Sequence, residues 1–290
     1  MESLNELFFS LEKKIDELIF SEIKKERKYL YHYTELNGFF GIFNTKSLKA
    51  SNAYFLNDSS EVEYGLKISK KYLEEFYHSI KDDQIKAALK GFYDNYSEYF
   101  LCCNLFLVSF SENGDLLSQW RGYTTNEGIS LGFDKEILKR LHNVYLKKVI
   151  YEEELQKQII IFLFDILNNI VEQSEKNIEI FRLYFKLWIT EFMKILLTFK
   201  DNNFFEEKEW RLIYYIDDIN ENNKNISFRI KNNYLLPYIE IENLDIDKLI
   251  RQIIFGPSTD NSIFRKSIKY YLNINNYRKK IINSKIPFRK

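Results

Sequence analysis

The stretch from Glu152 to Lys200 reads as strongly helical, and it divides the strand-forming sequence of this chain into two blocks. Before it lie the apolar runs Phe100 to Phe110, Gly128 to Phe133 and Val144 to Tyr151. After it come Glu209 to Ile216, Ile226 to Ile230, Tyr238 to Ile241 and Leu249 to Phe255. Short apolar or alternating runs bounded by turn residues read as strands. The intervening stretch is too long for one uninterrupted helix, so a break is expected near Glu175 to Asn177. Leu183, Leu187, Phe192 and Leu196 recur at helical spacing there, and Trp188 adds a large apolar body. Strands gathered into blocks around a helical insert exclude a regular βαβ alternation and a repeat architecture. The pattern predicts an α+β fold, a mixed or antiparallel sheet decorated by helices.

The first part of the chain supplies further elements. Leu4, Leu7, Leu11, Ile15 and Leu18 predict an amphipathic helix over residues 1–26. A strand from Tyr29 to Tyr33 follows, then a helix starting near Thr34 with Leu36, Phe39, Phe40 and Phe43 on one face. Leu48 to Ala53 reads as a strand, and Asn57 to Ser60 is turn and cap chemistry before a helix from Glu61 to Tyr77. A second helix is expected from Asp83 to Tyr96. A late helix from Asn261 to Leu272 and a strand near Lys280 to Ser284 finish the chain. With 9 Gly and 3 Pro there is no linker rich in turn residues. One domain over 1–290, with a helical insert at about 152–200, is the expectation.

Charge and cysteine content exclude more than they assign. Lys+Arg and Asp+Glu both number 42, so no global field draws the chain to nucleic acid or membrane, although a local basic patch is compatible with this balance. Cys102 and Cys103 are adjacent and poorly placed to pair. The histidines are His32, His78 and His142, with no zinc-ligand spacing, so no metal is expected. The acidic, amphipathic N-terminus does not resemble a signal peptide, and the run Ile159 to Phe164 is far short of a membrane span. A reduced, cytoplasmic location without membrane contact is expected.

Four constellations carry possible chemistry. In Tyr31-His32-Tyr33-Thr34, aromatics flank a histidine just before a helix start; as a structural group His32 would bond a backbone carbonyl. In Leu56 to Glu61, Asn57 or Asp58 can cap the following helix, and Asp58 with Glu61 can hold a cation. Ser109 to Glu112, Asp115 and Ser118-Gln119-Trp120-Arg121-Gly122-Tyr123 bring stacking, anion-binding and hydroxyl groups to the mouth of an apolar strand. Trp120 has core packing as its structural alternative. In Glu207-Lys208-Glu209-Trp210-Arg211, a strand from about Glu207 puts both carboxylates and Arg211 on one face and Trp210 on the other. A strand-end carboxylate beside Arg211, if exposed, is worth only ~0–1 kcal/mol of stability.

These constellations, in this order, resemble a bacterial family numbered 2971 among the domains of unknown function. The matching pieces are LYHYT at 30–34, FLNDSSE at 55–61, SFSENGDLLSQWRGY at 109–123, EGISLGF at 127–133, EKEWRL at 207–212, IIFGP at 253–257 and SKIPFR at 284–289. They run over nearly the whole chain after the N-terminal helix. The layout of a His strand, a helix, a middle strand with Ser or Tyr and a late Glu strand is also similar to that of ADP-ribosyltransferases. That resemblance implies a split β-sheet around a cleft that takes NAD as substrate. His32 would hydrogen-bond the ribose next to the adenine, and the Tyr33-Thr34 backbone would clasp the nicotinamide amide. Ser111 would sit on the second core strand, with Tyr123 or Trp120 stacked on nicotinamide. Glu209 would bond the nicotinamide ribose and stabilise the oxocarbenium charge, and Glu207 would activate the acceptor. Thr34 stands where a Gly is common close by in such enzymes.

The function so implied is transfer of ADP-ribose, or hydrolysis of NAD, by a bacterial toxin or phage-defence effector. It carries an acceptor, protein or nucleic acid, and a regulatory partner protein as expected partners. Two other functions fit the same residues. In a metal-dependent nuclease or phosphodiesterase, Asp58, Glu61, Asp115 and Glu209 would hold Mg²⁺ and Arg121 the phosphate. A non-catalytic module would use the cleft to sense a nucleotide or peptide.

Overall fold

Leu105–Ser111 is apolar at nearly every position, which suits a strand covered on both faces. In the computed structural model this strand, β3, sends Leu105 and Leu107 into one hydrophobic core and Phe106, Val108 and Phe110 into a second. Its antiparallel partner β6 (Glu209–Tyr215) follows the same alternation, with Ile213 in the first core and Trp210 and Leu212 in the second. The structure describes residue 13 and residues 27–56, 59–98, 104–124, 127–175, 177–216, 226–231, 233–257 and 262–287. The helix expected over 1–26, Asn57, Asp58, the side chain of Glu61 and the Cys102–Cys103 pair lie outside that description.

The other strands are β1 (Tyr29–Thr34), β2 (Leu48–Asn52), β4 (Ile129–Asp134), β5 (Val144–Lys148), β7 (Ser227–Lys231), β8 (Tyr234–Ile241), β9 (Ile250–Phe255) and β10 (Lys280–Asn283). They form one sheet in the order β10-β9-β4-β1-β3-β2-β8-β7, and β6 pairs with both β3 and β5. The β9–β10 pair is parallel and the other pairs between these strands are antiparallel, so the fold is α+β with a mixed sheet.

β3 is where the sheet divides. One of its edges is filled along its length by β6. The other edge is shared: β1 meets it at Tyr31↔Ser111, and β2 meets it at Ser51↔Leu107 and Asn52↔Phe106. Between those contacts Val108, Ser109 and Phe110 have no strand on that side among the described residues. β1 turns away to pair with β4, and β2 with β8. Helix α1 (Leu36–Thr45) connects β1 to β2.

Helices α2 (Ser59–Ser79) and α3 (Asp83–Asp94) build the first core, and so do two helices of the expected insert. These, α6 (Glu153–Gln173) and α7 (Ile178–Leu196), are separated near the expected break, where the Asn177 side chain accepts from the amides of Glu179 and Ile180. Shorter helices α4 (Leu117–Tyr123), α5 (Lys135–Lys139) and α8 (Ile246–Leu249) and the helix α9 (Ser262–Ile274) complete the chain. Among the described residues no helix is long and apolar enough to cross a membrane.

Three local expectations need correction. Leu183 and Leu187 are 53% and 45% exposed, whereas the buried stripe of α7 is Phe181, Trp188, Phe192 and Leu196. Leu183 lies two residues, about 200°, around the helix from Phe181, so both cannot face one core. Thr34 does not start α1: it remains in β1, and Glu35 occupies the cap position without a side-chain bond. Glu207 is not on the strand, because Asn202–Glu207 forms a 3₁₀ turn that ends at Lys208 with φ of 44°.

Candidate functional site

The divided sheet leaves a cleft of about 420 Å³ between β1, α1 and β2 on one side and β3 and β6 on the other. This volume suits a small-molecule ligand. β1 brings Tyr31, His32, Tyr33 and Thr34 to it, β3 brings Ser109 and Ser111, α4 brings Gln119 and Tyr123, and the β6 strand and its preceding turn bring Glu209 and Glu207. From β2 comes Lys49, and from β7 come Arg229 and Lys231. His32, Ser111 and Glu209 are widely separated in sequence, and each enters on a different strand.

His32 Nδ1–H donates to the Ser109 carbonyl at 3.0 Å, and its ring lies 5.8 Å from that of Phe110. This bond leaves the Nε2 lone pair available as an acceptor. Burial lowers the His32 pKa from 6.5; the bond to Ser109 opposes that, and the Arg229 charge adds to it. The imidazole is therefore neutral at neutral pH. Beyond Tyr31, the β1 edge that faces the cleft has no strand partner among the described residues, so the Tyr33-Thr34 backbone borders open space. The Tyr33 side chain itself is committed: its hydroxyl donates to the Asn113 carbonyl at 2.7 Å and accepts from the Leu116 amide at 3.0 Å.

Ser111 sits opposite Glu209 in the β3–β6 register and opposite Tyr31 on β1. Its hydroxyl donates to the Glu207 carbonyl at 2.6 Å and accepts from the Asn113 amide at 3.0 Å, which fixes the turn that carries Glu207.

The carboxylates form a compensated charge network. Arg211 grips Glu209 with two parallel bonds, Nε to Oε1 at 2.9 Å and Nη2 to Oε2 at 3.0 Å. Lys200 bridges Glu209 at 3.0 Å and Glu207 at 2.7 Å. Arg211 Nη1 also donates to the Leu197 carbonyl at the end of α7, the negative end of that helix dipole. Burial would raise the Glu209 carboxyl; the Arg211 and Lys200 charges, with hydrogen bonds from Arg211 and Ser109, overcome it and hold the pKa at about 2. Glu209 is 5% exposed, so the expectation of an exposed strand-end carboxylate with little weight in folding is overturned. Trp210, on the opposite face, is buried in the second core as expected, and its Nε1 donates to Glu112.

Other candidates lie away from the cleft lining. Trp120 is 3% exposed, packs edge-on to Tyr33 at 4.7 Å and donates from Nε1 to Asp115 at 2.8 Å. A Cβ on Gly256 would come within 3.1 Å of the Trp120 ring, which accounts for a glycine at the end of the IIFGP run. Tyr123 is thus the aromatic of this segment that reaches the cleft. Arg121 is exposed on α4 outside the lining, and Arg211 lies behind Glu209. Asp115, a candidate metal ligand, accepts from Trp120, the Ser284 hydroxyl and the Lys285 amide. Among the described residues no three His, Cys, Asp or Glu side chains gather as a metal site.

Sequence reasoning missed Lys200, Lys49, Arg229 and Lys231. The alternation Arg229-Ile230-Lys231 was a usable signal, since it puts two cations on one face of a strand. Lys200 gave no signal, because its role depends on where the end of α7 meets β6.

Comparison with known proteins is narrow. Neither the characterised proteins nor the solved structures gave a match. The family described as "Protein of unknown function (DUF2971)" matches residues 119–212, about a third of the chain. That segment takes in the end of the SQWRGY run, EGISLGF and EKEWRL, while LYHYT, FLNDSSE, IIFGP and SKIPFR fall outside it, so the match is partial and shorter than the motif order implies.

Proposed function

We propose that this chain binds NAD in the cleft of the divided sheet and cleaves its nicotinamide–ribose bond, either transferring ADP-ribose or hydrolysing NAD. The observation that supports this reading is the convergence of His32 from β1, Ser111 from β3 and Glu209 from β6 on one cleft. In this reading the neutral His32 accepts a ribose hydroxyl at Nε2, the open β1 edge at Tyr33-Thr34 pairs with the carboxamide, and Tyr123 stacks on nicotinamide. Glu209 is ionised and held rigid, the condition for stabilising positive charge on the ribose in the transition state. An ionised carboxylate offers about four acceptor positions. Arg211, Lys200 and Ser109 occupy them, so the ribose hydroxyl reaches Glu209 by displacing the Ser109 hydroxyl, the uncharged donor of the set. Glu207, on the same lysine, activates the acceptor or water. A role as toxin or defence effector in the cytoplasm belongs to this proposal.

The test is incubation with NAD followed by measurement of free nicotinamide. Release by the wild type is expected, falling ~10² to ~10³-fold in Glu209→Gln at matched folded concentration. Equal rates in the two proteins remove Glu209 from the chemistry. No release by the wild type, with candidate protein and nucleic-acid acceptors present, overturns the reading.

A further inference from the structure

We infer that Arg229 and Lys231 form a phosphate subsite at the β7 end of the cleft, which takes the diphosphate of a nucleotide ligand; the choice of dinucleotide rests on the NAD reading above. β7 reads Ser-Phe-Arg-Ile-Lys. Period two sends Arg229 and Lys231 into the cleft and Phe228 and Ile230 outward, where they are 59% and 81% exposed. Both faces of this strand meet solvent: Arg229 is exposed at the cleft mouth, and Lys231 is half-buried deeper in the lining.

Among the described residues the two cations also lack compensation. Neither forms an ion pair with a carboxylate among the described residues. Arg229 donates Nη2 to Ser51 Oγ at 2.9 Å, and its guanidinium lies 5.7 Å from the Tyr238 ring centroid. These contacts orient the fork and leave further N–H donors. Lys231 is half-buried; burial, and after it the Arg229 charge, lower its pKa. The other cations in or beside the cleft differ. Lys49 lies 3.6 Å from Glu240, and Lys200 holds Glu207 and Glu209. The carboxylates at the β6 side are balanced by Lys200 and Arg211, so among the described residues the unpaired positive charge of the cleft resides on β7. Two adjacent like charges in a partly enclosed site weaken the unliganded fold, and a bound polyanion relieves them. A diphosphate supplies the charge and the acceptor oxygens to which an Arg fork and a Lys ammonium donate together.

The experiment is calorimetric titration of the wild type, Lys231→Gln, Arg229→Gln and Arg229→Lys with NAD and separately with inorganic pyrophosphate, alongside thermal melts without ligand. Loss of one charge-assisted phosphate contact predicts Kd values about 10- to 100-fold weaker in each Gln variant, with a shallower salt dependence. Arg229→Lys, which keeps the charge and loses the fork, is expected between wild type and Arg229→Gln. The unliganded melting temperature of Lys231→Gln should equal or exceed that of the wild type, because a repulsion is removed. Unchanged NAD affinity in both Gln variants overturns the subsite and leaves the NAD reading standing. Pyrophosphate bound by the wild type and lost in the variants, with no NAD binding, upholds the subsite and removes the NAD reading. A marked fall in the unliganded melting temperature of Lys231→Gln identifies a structural partner and overturns the subsite, as does failure of the wild type to bind either probe.

Discussion

Glu209 joins a candidate catalytic role to a structural one. Its partners are themselves buried: Arg211 is 2% and Lys200 is 3% exposed. Glu209→Gln keeps the size and part of the hydrogen bonding, but it leaves two buried cations facing the single charge of Glu207. Removing one partner from a buried ion pair costs about 3–5 kcal/mol, so this variant should melt well below the wild type, as a thermal scan monitored by circular dichroism would read. Equal melting temperatures would contradict the network. The pH dependence has a defined sign. The Glu209 carboxyl is held at about 2, below its ordinary 4.5. Its stabilising contribution is complete above pH 4.5 and is lost as the pH falls from there through about 2. Acid unfolding of the wild type should show this loss, and Glu209→Gln should flatten it. The alternation of Glu209, Trp210 and Arg211 was legible in the sequence because strand parity is a local rule. The burial of Glu209 was not, because it is imposed by Lys200 and the end of α7, which the sequence does not mark as neighbours.

Helix α1 is the element that spans the opening of the sheet, and Gly41 in its interior is the residue that explains its composition. An interior glycine costs a helix roughly 1 kcal/mol relative to alanine. Packing does not require it, since a Cβ built at Gly41 meets nothing within 4 Å, and the residue lines the cleft. A glycine tolerated at that cost beside open space keeps room for a ligand. Gly41→Ala is expected to raise stability by about 0.5–1 kcal/mol. Gly41→Leu should hold the melting temperature and abolish NAD binding and nicotinamide release. Full activity in Gly41→Leu would show that the ligand does not pass this face of α1. Most elements were legible at this scale: β1, β4, β6 and β9, the helices around 59–94 and the break in the insert all follow from periodicity and caps. Two misreadings were local. Glu207, the last residue of the 3₁₀ turn, was read into the strand, and the helical form of Leu117–Tyr123 was not read, because that segment is too short to show a helical period.

At the scale of the whole molecule, the cleft exists because β1 and β2 share one edge of β3, and that pairing joins residues far apart in the chain. No periodicity encodes it; only the resemblance to a split-sheet enzyme suggested it. The helical insert is tied to the same strands. β5 and β6, which flank it, are antiparallel neighbours with Lys148 opposite Trp210, so residues 153–198 can be excised and the ends rejoined by a short turn without disturbing that register. An insert of this geometry would ordinarily be dispensable. Here it is not, because α6 and α7 form much of the core that covers Leu105, Leu107 and Ile213 on one face of the sheet. Ile159, Ile160, Leu163, Leu167, Phe181, Trp188 and Phe192 are all buried there. At ~1.5–3 kcal/mol for each large apolar side chain, their combined burial is comparable to or larger than the net stability of a typical domain, roughly 5–15 kcal/mol. Excision also removes the Leu197 carbonyl from Arg211 and, with the end of α7, the support that brings Lys200 to Glu209. The excised chain should therefore lack a cooperative thermal transition and bind a hydrophobic dye, while the full chain melts in one step because β3 and β6 belong to both cores. A cooperative melt of the excised chain within a few degrees of the full chain would show that the sheet half folds alone, and would detach the charge network of the cleft from the integrity of the fold.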